Sequence, residues 1–367
     1  MKIAYDHLIF SEQRYGGISR YITELAVKLD RQGENTKIFA PMHQNKYLDG
    51  LPGRLVTGRG FKGFPLRLSY LLKPLNNTLC NKQISDWNAD VLHKSYFDWP
   101  RVRTADIPIV ITLHDMIYEL FSEMVGPFND IIKRKKVAIL SADHVICVSE
   151  STRRDAIEIM NISEDKISVV PLGATSFTTG KHSIKPLILT NRPYLLYVGK
   201  REGYKNFQGL LNAVGNTPRL MRDFDIVAFG GKSFTSQEHH EIARLDFSEG
   251  QVTQISGNDE LLGEYYRNAE AFVFPSLYEG FGLPPLEAMS QKCPVISSNT
   301  SSMPEVIGSA AEFFNPNNHV EISQAIESVV YSASRRDELL VLGHERLKKF
   351  TWEKCAQRTL TVYKGLT

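Results

Sequence analysis

The chain has 367 residues, 42% of them hydrophobic and 23% charged, with 43 Lys and Arg against 41 Asp and Glu for a net charge of +2. That length exceeds the roughly 250–300 residues one hydrophobic core usually serves, so two cores are expected. The near balance of charge argues against a dedicated nucleic-acid or other polyanion binder, and Cys80, Cys147, Cys293 and Cys355, far apart with no CxxC pair, argue against zinc or disulfide frameworks.

The N-terminus runs straight into a strand-like Lys2-Ile3-Ala4-Tyr5. No signal-peptide core and no apolar stretch of membrane-spanning length is present, so a cytoplasmic protein is expected. Gly16-Gly17-Ile18-Ser19-Arg20 then opens a helical pattern over Ile18 to Leu29. A glycine-rich turn before a helix lets backbone amides approach a phosphate. It is not GxGxxG, and no acidic residue is placed for a ribose, so a dinucleotide site is not expected.

From Leu51 to Ser85 there is no Asp or Glu, while Arg54, Arg59, Lys62, Arg67, Lys73 and Lys82 alternate with Phe61, Phe64, Leu66, Leu68, Tyr70 and Leu71. Two interpretations stand for this stretch and for the later run Lys133-Arg134-Lys135-Lys136: a solvated face, or a peripheral patch on an anionic membrane.

Short apolar runs follow at Asp90 to His93, Pro108 to Leu113, His144 to Val148 and Ile167 to Val170. A second set covers Tyr194 to Val198, Asp225 to Phe229, Val252 to Ile255, Ala271 to Phe274 and Pro294 to Ser297, with helical periodicity between, as in Phe128 to Leu140 and Leu261 to Ala269. Strand–helix alternation of this kind predicts an α/β fold with parallel sheets covered on both faces. The polar stretch Gly173 to Pro186 separates the two sets. The expected division is 1–173, a linker 174–186, a second domain 187–350 and a C-terminal helix 351–367.

Several loops carry chemistry. His114-Asp115 ends the strand Pro108 to Leu113. Gly199-Lys200-Arg201-Glu202-Gly203-Tyr204-Lys205-Asn206 follows the first strand of the second set and offers three cations to an anion. Phe229-Gly230-Gly231-Lys232 and Gln254-Ile255-Ser256-Gly257-Asn258 end the next two strands. Asp223-Phe224-Asp225 has the form of a metal-holding DxD pair, but it precedes its strand and so belongs at the amino edge.

The most specific string is Ser276-Leu277-Tyr278-Glu279-Gly280-Phe281-Gly282-Leu283-Pro284-Pro285-Leu286-Glu287-Ala288-Met289. Glycines let a ligand come close to the backbone, the helix starting near Pro284 points its positive end at it, and two carboxylates flank the junction.

This string resembles the Glu-x7-Glu signature of retaining glycosyltransferases of family 4, which have the GT-B fold of two Rossmann-like domains. The resemblance extends from Tyr15-Gly16-Gly17 through Ile111-Thr112-Leu113-His114-Asp115 and Lys205-Asn206 to the last helix, which in that family returns to the first domain. It implies a nucleotide-diphosphate sugar as donor, with GDP-mannose favoured, and no cofactor or metal. It implies catalytic roles for His114, Lys205, Arg201 and Glu279. Donor contacts would come from Gly16, Gly17, Gly230, Ile255, Ser256, Gly280, Phe281, Gly282, Leu283 and Glu287. The acceptor would be a saccharide or lipid-linked saccharide, met by the first domain. Alternatives are a nucleotide-sugar-binding protein without transfer activity and a GT-B epimerase or phosphorylase.

Overall fold

A computed structural model describes residues 1–61, 69–99, 107–125, 129–174, 192–201 and 203–367. Seven strands form the first sheet: β1 Lys2–Tyr5, β2 Asn35–His43, β3 Val56–Gly60, β4 Val91–Lys94, β5 Ile109–Leu113, β6 His144–Cys147 and β7 Ile167–Val169. Their order is β3-β2-β1-β4-β5-β6-β7, and every pairing is parallel. Six more strands form the second sheet: β8 Tyr194–Val198, β9 Asp225–Phe229, β10 Val252–Ile255, β11 Ala271–Phe274, β12 Val295–Ser298 and β13 Glu312–Phe314. This sheet is also wholly parallel, in the order β10-β9-β8-β11-β12-β13.

Both orders reverse direction once. Strands lead outward from β1 on one side and from β4 on the other, and likewise from β8 and β11. Such a switch point leaves a crevice outside the carboxyl ends of the two central strands, where doubly wound sheets bind ligands. The strands are near-continuous apolar runs because helices cover both faces of a parallel sheet. All of β11 is buried, and Leu195, Tyr197, Ile226 and Val273 pack with Phe207, Leu211 and Ile326 of the flanking helices in the second core.

The chain divides into two compact units. The first comprises Met1–Glu119, Phe128–Gly173 and Trp352–Thr367, and the second Leu120–Pro127 and Ala174–Thr351. The helix Trp352–Lys364 lies in the first unit against the helix Gly17–Arg31, where Lys28 meets Glu353 at 2.5 Å. Its Tyr363 is fully buried, and its hydroxyl lies 2.5 Å from His93 Nδ1 and 3.4 Å from the Tyr5 hydroxyl. The division differs from the expected one at Leu120–Pro127. Phe121 packs its ring against Tyr204 and Tyr278, at centroid distances of 6.0 and 5.9 Å, which ties that segment to the second unit. Of the expected linker only Ala174 is described, and residues 175–186 lie outside the described residues.

Candidate active site

The second switch point gathers the loops that follow β8 and β11. After β8 the chain turns at Gly199 and passes through a short 3-10 turn, Gly203–Lys205. It then enters the helix Phe207–Gly215 behind Asn206, whose side chain accepts from the Gly209 amide. The Asn206 carboxamide also donates to the carbonyls of Pro275 (3.1 Å) and Pro316 (2.8 Å). This one side chain therefore ties the lysine loop to the end of β11. The Leu277 amide donates to the Tyr204 carbonyl at 2.7 Å and closes the same junction.

Lys205 and Glu279 consequently meet. Lys205 Nζ lies 2.6 Å from Glu279 Oε1, with both side chains mostly buried. The ammonium also lies over the rings of Tyr204 (5.3 Å) and Phe274 (5.7 Å). A charge pair with so little water around it interacts far more strongly than one at a surface. The ammonium is thus held at the switch point by the protein's own groups.

The Glu279 loop is braced from beneath by hydroxyls. Ser302 donates to the carbonyls of Glu279 (2.8 Å) and Phe281 (3.0 Å), and Ser301 Oγ accepts from the Glu279 amide (2.9 Å). Thr300 donates to Leu277 O (2.9 Å) and Ser298 to Ser276 O (2.7 Å). At the helix start Gly282 stands at φ +92°, a conformation that a side chain disfavours. Pro284 and Pro285 remove two of the orphan amides that a helix N-terminus normally presents. Leu283 keeps its amide at that end. Glu287 lies in the same helix, beside the buried Tyr266, whose hydroxyl is held well above its ordinary pKa first by burial and then by this carboxylate.

A second cluster joins the ends of β9 and β10. The Gly230 amide donates to Ile255 O (2.7 Å), and Ser256 Oγ donates to Gly231 O (3.2 Å). Gly230 at φ +97° makes this turn accessible to a glycine alone without strain. Arg201 is committed here. Its Nε pairs with Glu238 at 2.6 Å, its Nη atoms donate to Gly230 O (3.1 Å) and Lys232 O (2.6 Å), and its plane lies 4.8 Å from the Phe234 ring. A cavity of about 620 Å³ opens beside it, lined by Lys200, Gln208, Lys232, Glu238 and Glu241 among others. Neither Glu279 nor Glu287 lines that cavity.

The remaining candidates belong to the first unit. Gly16 caps the helix Gly17–Arg31, and the Gln13 carboxamide fills the space a side chain at Gly16 would need. His114 stands at the carboxyl end of β5 with its ring edge-on to Tyr21, 5.1 Å between centroids. Burial is the main force pushing its pKa down to about 4, so the imidazole is neutral at physiological pH. Asp223 and Asp225 sit at the amino end of β9, taken by Arg222 (2.8 Å) and Arg192 (2.7 Å) respectively. The basic run does not form one surface. Lys133 and Lys136 are exposed, Arg134 pairs with Asp130 at 2.9 Å, and Lys135 is buried. In the acid-free stretch Arg54, Lys73 and Lys82 pair with Asp30, Glu12 and Asp86, while residues 62–68 lie outside the described residues.

Two doubly wound units, the second with a fixed ammonium and a glycine-opened helix at its switch point, are the GT-B architecture. The chain belongs to the GT-B glycosyltransferases: Glycosyltransferase Family 4 matches residues 15–175, and Glycosyl transferases group 1 matches residues 179–339. It is 29% identical to O-antigen chain mannosyltransferase B of Escherichia coli, over 95% of this chain and 96% of that one. It is 28% identical to the serotype-specific mannosyltransferase WbdA of Escherichia coli over 67% of this chain, which spans about a third (32%) of that longer protein. Among solved structures, sucrose-phosphate synthase from Thermosynechococcus elongatus superposes with a TM-score of 0.80 at 19% identity, covering 100% of this chain and 98% of that one.

Proposed function

We propose that this glycosyltransferase moves a hexose, with retention at the anomeric carbon and without a metal ion, from a nucleotide-diphosphate sugar to a saccharide or lipid-linked saccharide. The setting is the assembly of a surface polysaccharide, and GDP-mannose is the first donor to try. The mannosyltransferase relatives support the sugar and the setting. The observation that carries the chemistry is the Lys205–Glu279 contact at the switch point.

As the anomeric carbon–oxygen bond breaks, negative charge grows on the departing diphosphate and positive charge on the sugar ring. Preorganised groups aimed at such charge are usually the largest contribution to catalysis. Lys205 answers the diphosphate, with the Leu283 amide and the helix end behind it. Arg201 acts by fixing the Gly230–Ser233 turn. Glu279, with the Gly280, Phe281 and Gly282 amides, positions the sugar, and Glu287 accepts from the ribose hydroxyls. Ile255 and Ser256 face the base. From the first unit, the neutral His114 supplies a dipole and a hydrogen bond to a sugar hydroxyl, while Gly16 and Gly17 admit the diphosphate. Phe61, Leu75 and Leu79 are exposed, and Arg59 and Lys73 stand two positions before Phe61 and Leu75 in the sequence, which supports peripheral contact with an anionic membrane.

The test is transfer by purified protein from a panel of nucleotide sugars in EDTA, with the product anomer read by NMR. Retention and full activity under chelation are expected. An inverted product, rescue only by magnesium or manganese, or donor binding without transfer would each refute a named part of the proposal.

A further inference from the structure

The helix Asn129–Ser141 carries a lysine where its pattern calls for an apolar residue. Ala138, Ile139 and Ala142 are buried, and Lys135 lies three, four and seven positions before them on the same stripe. Its side chain is 2% exposed. A buried ammonium loses its hydration at a cost of several kcal/mol, and a methionine of similar length would fill the space without that cost. Stability of the helix therefore does not account for this residue.

Its partners do. Lys135 Nζ donates to the backbone carbonyl of Asp115 at 2.8 Å and pairs with Glu119 Oε2 at 2.8 Å. The rings of Phe97 and Tyr118 flank the ammonium, each 5.7 Å away. Asp115 is fixed at its other end too, because its carboxylate accepts from the Ile117 amide at 3.1 Å. The turn that leaves β5 is thus clamped immediately after His114, whose ring meets Tyr21 edge-on. Among the described residues Glu119 Oε1 is buried without a hydrogen-bond partner, and Oε2 holds the lysine.

We infer that Lys135 is a positioning residue, which sets the His114 ring through the Asp115 carbonyl, while Glu119 holds the ammonium in place. This rests on the assignment of His114 to the donor sugar. A small misplacement of a group that meets the transition state costs about a hundredfold in rate without loss of binding, so the effect belongs in kcat.

Three variants test it in the full chain. Lys135→Arg keeps the charge but replaces the compact ammonium by a wide planar head, and kcat is expected to fall as in the double variant. Lys135→Met strands the Glu119 charge and is expected to lower the melting temperature. Lys135→Met/Glu119→Leu removes both charges together and is expected to fold, since replacing a buried pair by apolar groups is often neutral. In the double variant kcat should fall about ten- to a hundredfold, with donor KM and nucleoside diphosphate affinity within twofold of the parent. Combined with His114→Ala, the same two substitutions should cost less than threefold more. Additive losses, or a folded double variant with parental kcat, would overturn the inference while leaving the site assignment intact. If His114→Ala alone has parental kcat, the site assignment itself fails and the inference goes with it.

Discussion

The Lys205–Glu279 pair makes a prediction that depends on direction. If the ammonium is the group that meets the diphosphate, Glu279 competes for it in the ligand-free enzyme, because the two are 2.6 Å apart and mostly buried. Removing each partner should therefore have opposite effects on nucleotide affinity. Lys205→Ala deletes a charge-assisted contact worth about 1.5–3 kcal/mol, or roughly ten- to a hundredfold in nucleoside diphosphate affinity. Turnover should fall further, by about 10²–10³, because the contact strengthens as charge develops. Glu279→Gln keeps shape and frees the lysine, so nucleoside diphosphate should bind as tightly as before or more tightly, while turnover falls through loss of the sugar contact. Titration calorimetry with the nucleoside diphosphate, run beside steady-state transfer assays, reads both quantities. Near-normal turnover in Lys205→Ala would refute the reasoning, and so would a Glu279→Gln enzyme that loses nucleotide affinity as Lys205→Ala does.

Other outcomes follow from single features. Glu287→Ala should weaken nucleoside binding by about tenfold or more, measured with the free nucleoside diphosphate, whereas unchanged nucleoside diphosphate affinity would contradict its assignment to the ribose. Ser302→Ala leaves the Glu279 and Phe281 carbonyls without their donor, which should cost about 1–3 kcal/mol in denaturant unfolding and reduce kcat, and unchanged kcat would separate the brace from catalysis. His93 is fully buried, and burial followed by the nearby His114 pushes its pKa down to about 3. The unfolded chain binds protons below about 6.5 that the folded chain refuses, so stability is full above 6.5 and declines as pH falls toward 3. The melting temperature should show that decline, and His93→Gln should make it shallower, with His114 among the histidines supplying the remainder; an equal slope in the variant would exclude His93 as a source. Sedimentation with anionic liposomes should fall as salt rises and weaken further in Leu75→Ser/Leu79→Ser, whereas absence of binding at low salt would leave the stretch as a solvated face.

The second unit was largely legible because its central strands β8, β9 and β11 are mainly apolar runs; these and the edge strand β10 fall at the residues their patterns predict. Legibility failed where burial does not control composition. Strand β2 mixes polar residues with Pro41, and β3 is an exposed edge containing Gly58 and Gly60, so neither alternates nor runs apolar. Strand β13 has three residues, too few for any period. In the site, Glu279, Gly282 and Glu287 were readable because they share one loop and helix. The contact of Lys205 with Glu279 was not, since 74 positions separate them and only the parallel sheet brings them together. The bracing hydroxyls of Ser298, Thr300, Ser301 and Ser302 carry no sign in the sequence of which carbonyls they serve. Lys135 left a usable signal. Read as part of a charge run it looked like surface, but its spacing from Ala138 and Ile139 puts it on the apolar stripe.

The place of Trp352–Thr367 in the first unit has a consequence for how the protein comes to be made. Tyr363 completes the surroundings of Tyr5 and His93, so β1 and β4 wait for a helix residue made 358 and 270 positions after them. Between Gly173 and Trp352 all of the second unit except Leu120–Pro127 must be synthesised, which takes about 10–35 s at the usual elongation rates. During that interval Tyr5 and His93 lack the cover of Tyr363, and the second unit is free to fold ahead of the first.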